Sequence, residues 1–393
     1  MIQIENNKLA ALLPEILFWV LVLQLSVISI SIAAGSLLLG ATILLVIVWS
    51  IAKRIWIFPK TSLDYFFLAY IGIEFVTAIF SHESARAFIY SKRLLLIVIV
   101  YAVLVSFTSK EKIEKSLLII SSVTALLSLG EIIFYFSAHE ERLYVFQHYM
   151  TTGGLKMMIS LLLIPPILDT KNKNKKRLYY LLIFLPIFIA LILTNTRSAW
   201  LGFIAGIILL SIIEYRKLFA LLVFLLVLFF MIAPKHQIDR AKSIIDLHDP
   251  SNYGRLNMWT TGIKIWNDYP ILGTGDIDLH ELYLQYKQPD DNEYGGHLHN
   301  NYIHLLVTLG AAGFLIVMML FGKIFHTEYK IFHLVRSDHL LKNISLGSLA
   351  LFTGFLVNGM FEWNFGDHEI MVFVWFSIGL ALAAERVFKG KDA

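Results

Sequence analysis

Two arginines and a histidine have the side chains and settings best suited to chemistry in this sequence. Arg197 lies in a short polar segment between two apolar runs, and Arg255 follows Gly254 in a long polar stretch. The planar arginine side chain carries a fork of donors that suits phosphate oxygens. His299 directly precedes another apolar run, and a neutral imidazole, which titrates at about pH 6.5, accepts protons. These residue types predict an anion clamp and a general base.

Plainer interpretations stay open for the same residues. An arginine at a helix end often only extends its charge into interfacial water, a loop arginine such as Arg255 or Arg240 is usually solvated, and an interfacial histidine often only forms hydrogen bonds. His297, His299 and His304 could instead bind a metal. On a helix, however, His304 would point about 140° away from His299, and no carboxylate motif completes the set. We therefore expect neither a metal nor another cofactor.

Several neighbouring polar residues are candidates for contacts with a substrate. Two are carboxylates in the segment 361–368, where they could orient a histidine or hold sugar hydroxyls. Two others flank the candidate base, and the last is a lysine in the same polar stretch as Arg255. The candidate substrate contacts are Glu362, Asp367, His297, Asn300 and Lys264. The acidic residues of the polar stretch itself, Asp249 among them, are interpreted as a solvated surface.

Membrane helices must position these side chains. The chain has 393 residues, of which 57% are hydrophobic and 16% are charged, whereas soluble domains average roughly 25% charged residues. Its apolar runs approach the ~20 residues that cross a bilayer, where a helix satisfies its own backbone. The sequence contains no cysteine, which excludes disulfides and thiolate sites. No basic patch with interleaved aromatic residues suggests nucleic acid as a partner.

We predict an all-α polytopic membrane protein, with about twelve transmembrane helices forming one integral membrane domain over residues 1–393. A large loop, residues 234–299, separates the ninth and tenth helices and carries short helices of its own. The predicted spans are 11–31, 35–52, 63–81, 92–107, 115–136, 154–169, 178–194, 196–214, 217–233, 300–322, 344–360 and 369–387.

Lysine and arginine in the short connectors predict the orientation. The connector that contains residues 171–177 carries five of them, and an N-terminus in the cytoplasm places this and the other basic connectors inside. The large loop then faces outside. The helices that begin near residues 196 and 300 run inward from that side. Their N-terminal N–H groups, which favour anions, therefore point at the outer face.

Four segments share an order and spacing that carry a resemblance. They are Asn195-Thr-Arg197-Ser-Ala-Trp200; Gly254-Arg255 with Trp259 and Pro270-x-x-Gly273-x-Gly275; His297-Leu-His299-Asn300-Asn301 with Leu309-Gly310-x-x-Gly313; and Phe361-Glu362-x-Asn364-Phe365-Gly366-Asp367. Together they resemble the O-antigen ligase/polymerase superfamily of polytopic bacterial inner-membrane glycosyltransferases. The resemblance extends from roughly residue 150 to residue 387.

The resemblance implies a GT-C-like, inverting and metal-independent enzyme that takes a glycan from an undecaprenyl-diphosphate carrier at the periplasmic face of the inner membrane. In the lipopolysaccharide O-antigen ligases, which it resembles most, the acceptor is a sugar of the lipid A-core. The arginines that match Arg197 and Arg255 would bind the diphosphate. The histidine that matches His299 would activate the acceptor hydroxyl. Membrane lipids are the other expected partners, and the oligomeric state stays open.

Other functions also stay open. A polymerase of O-antigen or another surface polysaccharide and a protein O-glycosyltransferase use the same donor with other acceptors. A solute transporter would need discontinuous helices and charges near the bilayer midplane, where the sequence offers only Glu74 and Glu131. A scaffold would not need arginine and histidine on adjacent helix ends. We therefore expect a ligase-type transferase of lipopolysaccharide biosynthesis.

Overall fold

A computed structural model describes residues 2–53, 55, 57–289 and 291–390, with side chains from residue 12 onward. These residues form helices and no β-strand, which confirms the predicted all-α class. Residue 1 and residues 391–393 of the predicted domain lie outside the described residues. The α-helices are α1 Ile2–Val27, α2 Ile32–Lys53, α3 Asp64–Phe80, α4 Ser84–Tyr90, α5 Val98–Ser106, α6 Lys110–Ala138, α7 Tyr149–Leu168, α8 Asn174–Leu193, α9 Arg197–Ile213, α10 Lys217–Ile232, α11 Lys235–Lys242, α12 Pro250–Asp268, α13 His280–Tyr286, α14 Asn301–Leu334, α15 His339–Asn358 and α16 His368–Phe388.

Eight described helical segments are long and apolar enough to cross a membrane. One of them, Ser84–Ser106, is made of α4, a 3-10 helix over Ser91–Ile97, and α5. The other seven are α2, α6, α7, α8, α14, α15 and α16. Three shorter apolar helices, Leu12–Val27 within α1, α9 and α10, and the 17-residue α3 coincide with the four remaining predicted spans. Every predicted span therefore falls on a helix.

Two helices extend well beyond their predicted ends. The segment predicted to begin at residue 92 begins at Ser84, and α14, predicted to end at residue 322, ends at Leu334. The added part of α14 is polar on one side, while Ile324, Ile331 and Phe332 are buried on the other. This is the pattern of a half-buried helix. Hydropathy detects the lipid-crossing part of such a helix and overlooks its polar continuation.

Successive membrane helices run in opposite directions, so their ends fall on two faces. We call the face with the connectors 138–149, 193–197, 232–301 and 358–368 the site face. The face with the connectors 53–64, 106–110, 168–174, 213–217 and 334–339 is called the opposite face. On the site face, Asn301 N donates to the Gly359 carbonyl (2.7 Å). The large loop and the N-terminal ends of α9 and α14 thus share the site face.

Helices α7, α15 and α16 form the centre of the bundle. In α7 and α16, 83% of the most apolar stretch is buried, against 28% in α2. Glycines let α7, α9 and α15 approach closely, since a β-carbon at Gly202 would lie 2.4 Å from Met157 Sδ and 2.6 Å from the Gly354 carbonyl oxygen. Outer helices expose large apolar side chains such as Leu37 and Leu44. A bilayer would cover these side chains.

An interruption in α14 receives part of the large loop. Gly310 has φ 64° and ψ −175°, a combination that only glycine adopts readily. Residues 270–275 fill the break, where the Ala311 N–H donates to the Pro270 carbonyl (2.8 Å). A β-carbon at Gly310 would lie 2.2 Å from the Ile271 carbonyl oxygen. The glycine therefore accommodates a docked loop at the break.

Glu74 and Glu131, the two charged residues predicted near the bilayer midplane, each form a buried ion pair. Glu131 of α6 and Lys156 of α7 are 2.7 Å apart. Glu74 pairs with Arg93, which also contacts Asp276 of the large loop at 3.2 Å. A buried charge is costly unless it is paired, so each carboxylate is matched by a cation from another element. Together with the interrupted α14, these pairs remove the sequence argument against a transporter.

Candidate active site

The first residue of α9, Arg197, is enclosed by the large loop. Its side chain is 6% exposed. One terminal nitrogen donates to the carbonyl and hydroxyl oxygens of Ser243 (both 2.7 Å), and the other donates to Asp249 (3.1 Å), Ser251 and Asn252 (2.7 Å). Asp249 also caps α12. The polar opening of the loop therefore folds around this guanidinium and fixes its position.

Two more arginines border the same small cavity. Arg240 of α11 and Arg255 of α12 line it together with Arg197, and its volume is about 50 Å³; we call these three residues the arginine cluster. The Arg255 Nε donates to the Phe361 carbonyl (3.1 Å). Burial and the charges of Arg197 and Arg142 lower the pKa of Arg240 to about 10. Arg240 is still charged at neutral pH, so an anion in this cavity would relieve repulsion between like charges.

A histidine–glutamate pair lies beside the arginine cluster. His299 Nδ1 is 2.8 Å from Glu362 Oε1, and the Nδ1–H group donates this hydrogen bond to the carboxylate. The side chain of His299 is 23% exposed and that of Glu362 is 8% exposed, so the imidazole reaches the surface while its partner lies inside. With its proton on Nδ1, a neutral imidazole has a lone pair on Nε2 and can accept another proton there.

The pKa values of Glu362 and Asp367 are shifted in opposite directions by their surroundings. Burial would raise the pKa of Glu362, but the hydrogen bond and charge of His299, with the charge of Arg255, lower it overall. Glu362 is therefore an anion at neutral pH. Burial and the neighbouring Glu362 and Glu369 raise the pKa of Asp367 well above its usual value. A protonated Asp367 carboxyl can donate a hydrogen bond.

A second cavity lies on the other side of the pair and has a volume of about 620 Å³. Its walls include the rings of Tyr90, Tyr294, His297 and Trp363 and the Asp278 carboxylate, while Arg93 pairs with Asp276 in the same wall. The ring centroids of His297 and His299 are 4.2 Å apart. The two neighbours of Glu362 border different cavities, because Phe361 lines the small cavity of the arginine cluster and Trp363 lines the larger one.

Three side chains of the site also have the types and proximity of metal ligands. The ligand atoms of His297, His299 and Glu362 all lie within 4.8 Å of one another, so the expectation that no carboxylate joins the histidines was wrong. The 2.8 Å between His299 Nδ1 and Glu362 Oε1 is a hydrogen-bond distance. Ligand atoms around tetrahedral zinc lie about 3.3 Å apart, given their bond lengths. The geometry fits the hydrogen bond better than a metal.

Two candidate substrate contacts have partners within the protein. The Asn300 side chain caps α14 by accepting from two backbone N–H groups (2.9 and 3.0 Å), and it donates to the Met360 carbonyl (2.8 Å). It thereby positions His299, and its contact with a substrate stays a prediction. Lys264 points towards α13, with its ammonium 3.5 Å from the Tyr286 carbonyl, and lines neither cavity. The structure does not bring Lys264 to the arginine cluster.

The sequence pattern did not reveal three contributors to the site. Arg240 and Asp249 were expected to be solvated, and Tyr149 of α7 was not singled out, although it lines the arginine cavity. Asp249 is 52 residues from Arg197 in the chain. A polar loop has no hydrophobic period that would mark its buried members. Their roles depend on how the loop folds back on α9.

The fold and the site together define a class of protein: a multi-pass helical membrane protein with a cluster of arginines beside a histidine–glutamate pair. The comparisons narrow this class. Residues 182–318 match the O-antigen ligase family model, Wzy_C, which confirms the predicted relationship to the O-antigen ligase/polymerase superfamily. The matched region contains Arg197, Arg255 and His299 and ends before Glu362. The match indicates a role in surface polysaccharide assembly. No curated protein matches the chain.

Proposed function

We propose that this protein moves a glycan from an undecaprenyl-diphosphate carrier to a sugar hydroxyl of the lipid A-core, at the periplasmic face of the inner membrane. The observation that carries the proposal is that the chain neighbours of the His299–Glu362 pair border both a cationic cavity and a larger cavity lined by aromatic rings. A transfer reaction needs both a donor side and an acceptor side at one base.

The arginine cluster would bind the diphosphate of the donor. Hydrogen bonds to the large loop hold the Arg197 guanidinium in one position. The Arg255 Nη2 donates to no described residue and can reach a ligand. A diphosphate leaving group gains negative charge as its bond to the sugar breaks, and preorganised cations stabilise that charge. The Arg197 guanidinium would face both the diphosphate and Asp249, to which it donates a hydrogen bond of 3.1 Å.

The histidine–glutamate pair would activate the acceptor. Glu362 holds the Nδ1 proton of His299, and Nε2 takes the proton of the acceptor hydroxyl. The hydroxyl oxygen then forms a bond to the anomeric carbon, while the bond from that carbon to the diphosphate oxygen breaks and its electrons stay on the diphosphate. One direct displacement inverts the anomeric centre. General base catalysis of this kind contributes roughly 10²–10⁴-fold to a rate, and the diphosphate makes nucleotide or ATP unnecessary.

The larger cavity would bind the acceptor sugar. Tyr294, which is 64% exposed, offers a ring for stacking, and His297 brings the cavity next to the base. A polymerase or a protein O-glycosyltransferase of the same superfamily would use the same chemistry with another acceptor in this place. The family match favours these transferases over a transporter.

A deletion strain separates the alternatives. A ligase predicts that lipopolysaccharide on a gel loses its whole O-antigen ladder while lipid-linked glycan accumulates. A single-repeat band on the lipid A-core would instead assign polymerisation. An unchanged ladder together with an altered protein glycosylation pattern would assign a protein O-glycosyltransferase, and no change in any glycan would contradict the proposal.

A further inference from the structure

A cavity of about 930 Å³ on the opposite face is separate from the candidate active site. Residues 323–334 of α14 form part of its wall, whereas His299 precedes the other end of that helix. At 1.5 Å per residue, α14 places the cavity more than ~30 Å from the histidine–glutamate pair. Its volume lies within the range of small-molecule sites, roughly 300–1,000 Å³. The proposed transfer reaction does not use it.

Basic side chains from three separate parts of the chain converge on this cavity. They come from the α2–α3 connector, from the end of α14 and from the end of α16, and they are Lys60, Lys323, Lys330, Arg386 and Lys389. One carboxylate, Glu385, is also part of the lining, and it pairs with Lys389. Thr61 and Ser62 lie in the same wall, where their hydroxyl groups bond to Asp64 and Thr327. The cavity therefore has an excess of positive charge.

Lysine on this face is not in itself a binding site, because cytoplasmic connectors are generally rich in lysine. Five other basic residues of the opposite face form ion pairs with carboxylates, namely Lys110, Lys112, Lys176, Arg336 and Lys342. Lys171, Lys173 and Lys175 are exposed and lie outside the cavity. Lys60, Lys323 and Lys330 pair with no carboxylate among the described residues. Their charges remain available to an anion.

The apolar part of the wall indicates the kind of anion. Tyr329 and Leu334 line the same cavity as the lysines, and each is 40% exposed. A free phosphate would leave these side chains in water, whereas the glycerol and acyl parts of a lipid would cover them. Basic pockets between membrane helices are a known setting for anionic headgroups. We propose that this cavity binds the phosphate headgroup of an anionic glycerophospholipid.

Lipid binding to the purified full-length protein tests the proposal. Native mass spectrometry would count phosphatidylglycerol bound to the wild-type protein in neutral detergent, with phosphatidylcholine as the zwitterionic comparison and inorganic phosphate as the competitor. The variant Lys60→Gln/Lys323→Gln/Lys330→Gln removes the unpaired cations. The control Lys171→Gln/Lys173→Gln/Lys175→Gln removes the same charge from exposed lysines of the same face outside the cavity.

We expect phosphatidylglycerol to bind the wild-type and control proteins alike and to bind the cavity variant at least ~10-fold more weakly. Equal binding of phosphatidylglycerol and phosphatidylcholine to the wild-type protein would overturn the proposal. So would an equal loss of affinity in the cavity and control variants, which would indicate unspecific attraction to positive charge. Displacement of the lipid by inorganic phosphate at equal concentration would reject the lipid as occupant. The single variant Lys330→Gln, at an exposed position, repeats the test if the triple variant fails to fold.

Discussion

At the scale of single residues, His299 has a backbone conformation that few residues adopt. Its φ is 44°, in the left-handed region, where a residue with a β-carbon costs about 1–2 kcal/mol. Its neighbours hold it there, because Leu298 is fully buried, the Leu298 carbonyl accepts from Trp259 Nε1 (3.0 Å), and Asn300 caps α14. Such strain is often retained at functional sites. Here it accompanies an imidazole that is directed at Glu362.

Replacing Glu362 tests whether it positions the base. Glu362→Gln keeps the size of the side chain and removes the anion to which His299 Nδ1–H donates its hydrogen bond. We therefore expect transfer to fall at least ~10²-fold while donor binding is unchanged. Transfer kinetics and donor titration of the purified protein measure these effects.

Glu369→Gln is the matched control, because this buried carboxyl group lies nearby at the start of α16 and has no hydrogen bond to His299. Its transfer rate should remain within a fewfold of the wild type. A full transfer rate in Glu362→Gln would show that the His299–Glu362 contact is structural only.

Arg240, the third arginine of the cluster, lines the small cavity although the sequence pattern predicted it to be solvated. Arg240→Gln removes one cation from the small cavity, and a hydrogen bond to a charged group is worth about 1.5–3 kcal/mol. We therefore expect the affinity for the undecaprenyl-diphosphate donor to fall about tenfold or more, with little change in the affinity for the acceptor. Arg86→Gln, on an exposed arginine of the site face paired with Glu83, should bind the donor normally. Equal donor affinity in both variants would exclude Arg240 from the site.

Metal removal tests whether the arginines suffice as the positive charge. Transfer by the purified protein should continue in excess EDTA, because the arginine cluster occupies the place where a diphosphate enzyme would otherwise need a divalent cation. The proximity of His297, His299 and Glu362 makes this a demanding test. Activity that disappears with EDTA and returns on addition of one divalent cation would assign those three residues to a metal instead.

At the scale of elements, the docking of residues 270–275 into α14 joins the large loop to the membrane domain. Gly310→Ala would place a β-carbon 2.2 Å from the Ile271 carbonyl oxygen on a backbone with φ 64°. We expect a loss of at least about 2 kcal/mol of stability, seen as a lower apparent melting temperature. Transfer should fall with it, because the loop carries Arg240 and Arg255.

Gly322→Ala provides the control within the same helix. A β-carbon at Gly322 meets nothing within 4 Å, and alanine favours a helix over glycine by roughly 0.5–1 kcal/mol. This variant should melt at the same temperature as the wild type or slightly above it. Equal melting temperatures for Gly310→Ala and Gly322→Ala would mean that the break in α14 does not depend on glycine.

Most of the elements could be predicted from the sequence because their signals are local. An apolar run of membrane length is sufficient to place a helix, and all twelve predicted spans fall on helices. The break at Gly310 had no local signal, because apolar residues flank it on both sides and its cause lies about 40 residues away in the loop. The polar end of α14 was overlooked for a related reason, since its buried side faces protein instead of lipid.

The site was predictable in its residue types and not in its pairings. Arginine and histidine at helix ends stand out in an apolar sequence, and Arg197, Arg255 and His299 were identified in this way. The partner of His299 is 63 residues away, and the partners of Arg197 are 46 to 55 residues away. No periodicity connects such positions. Only the folded loop shows that Arg240 joins the cluster and that Lys264 does not.

At the scale of the whole molecule, the charged side chains that matter most lie in three regions: the interior, the site face and the opposite face. The interior holds paired charges, such as Lys156 with Glu131 and Arg93 with Glu74, which fix helices to one another. The site face holds the crowded arginines and the histidine–glutamate pair. The opposite face holds the lysines that line the basic cavity. This arrangement suits an enzyme that receives lipid-linked substrates from the bilayer and carries out its reaction at one surface.

Transfer by the purified full-length protein in nanodiscs tests the central claim most directly. The assay supplies an undecaprenyl-diphosphate-linked glycan and lipid A-core, and mass spectrometry follows the joined product while a separate titration measures donor binding. Wild-type protein and His248→Ala, which changes a fully exposed histidine of the same loop, should form the product. His299→Ala should lower transfer at least ~10²-fold with donor affinity within about twofold of the wild type. Transfer by His299→Ala at the wild-type rate would contradict the account.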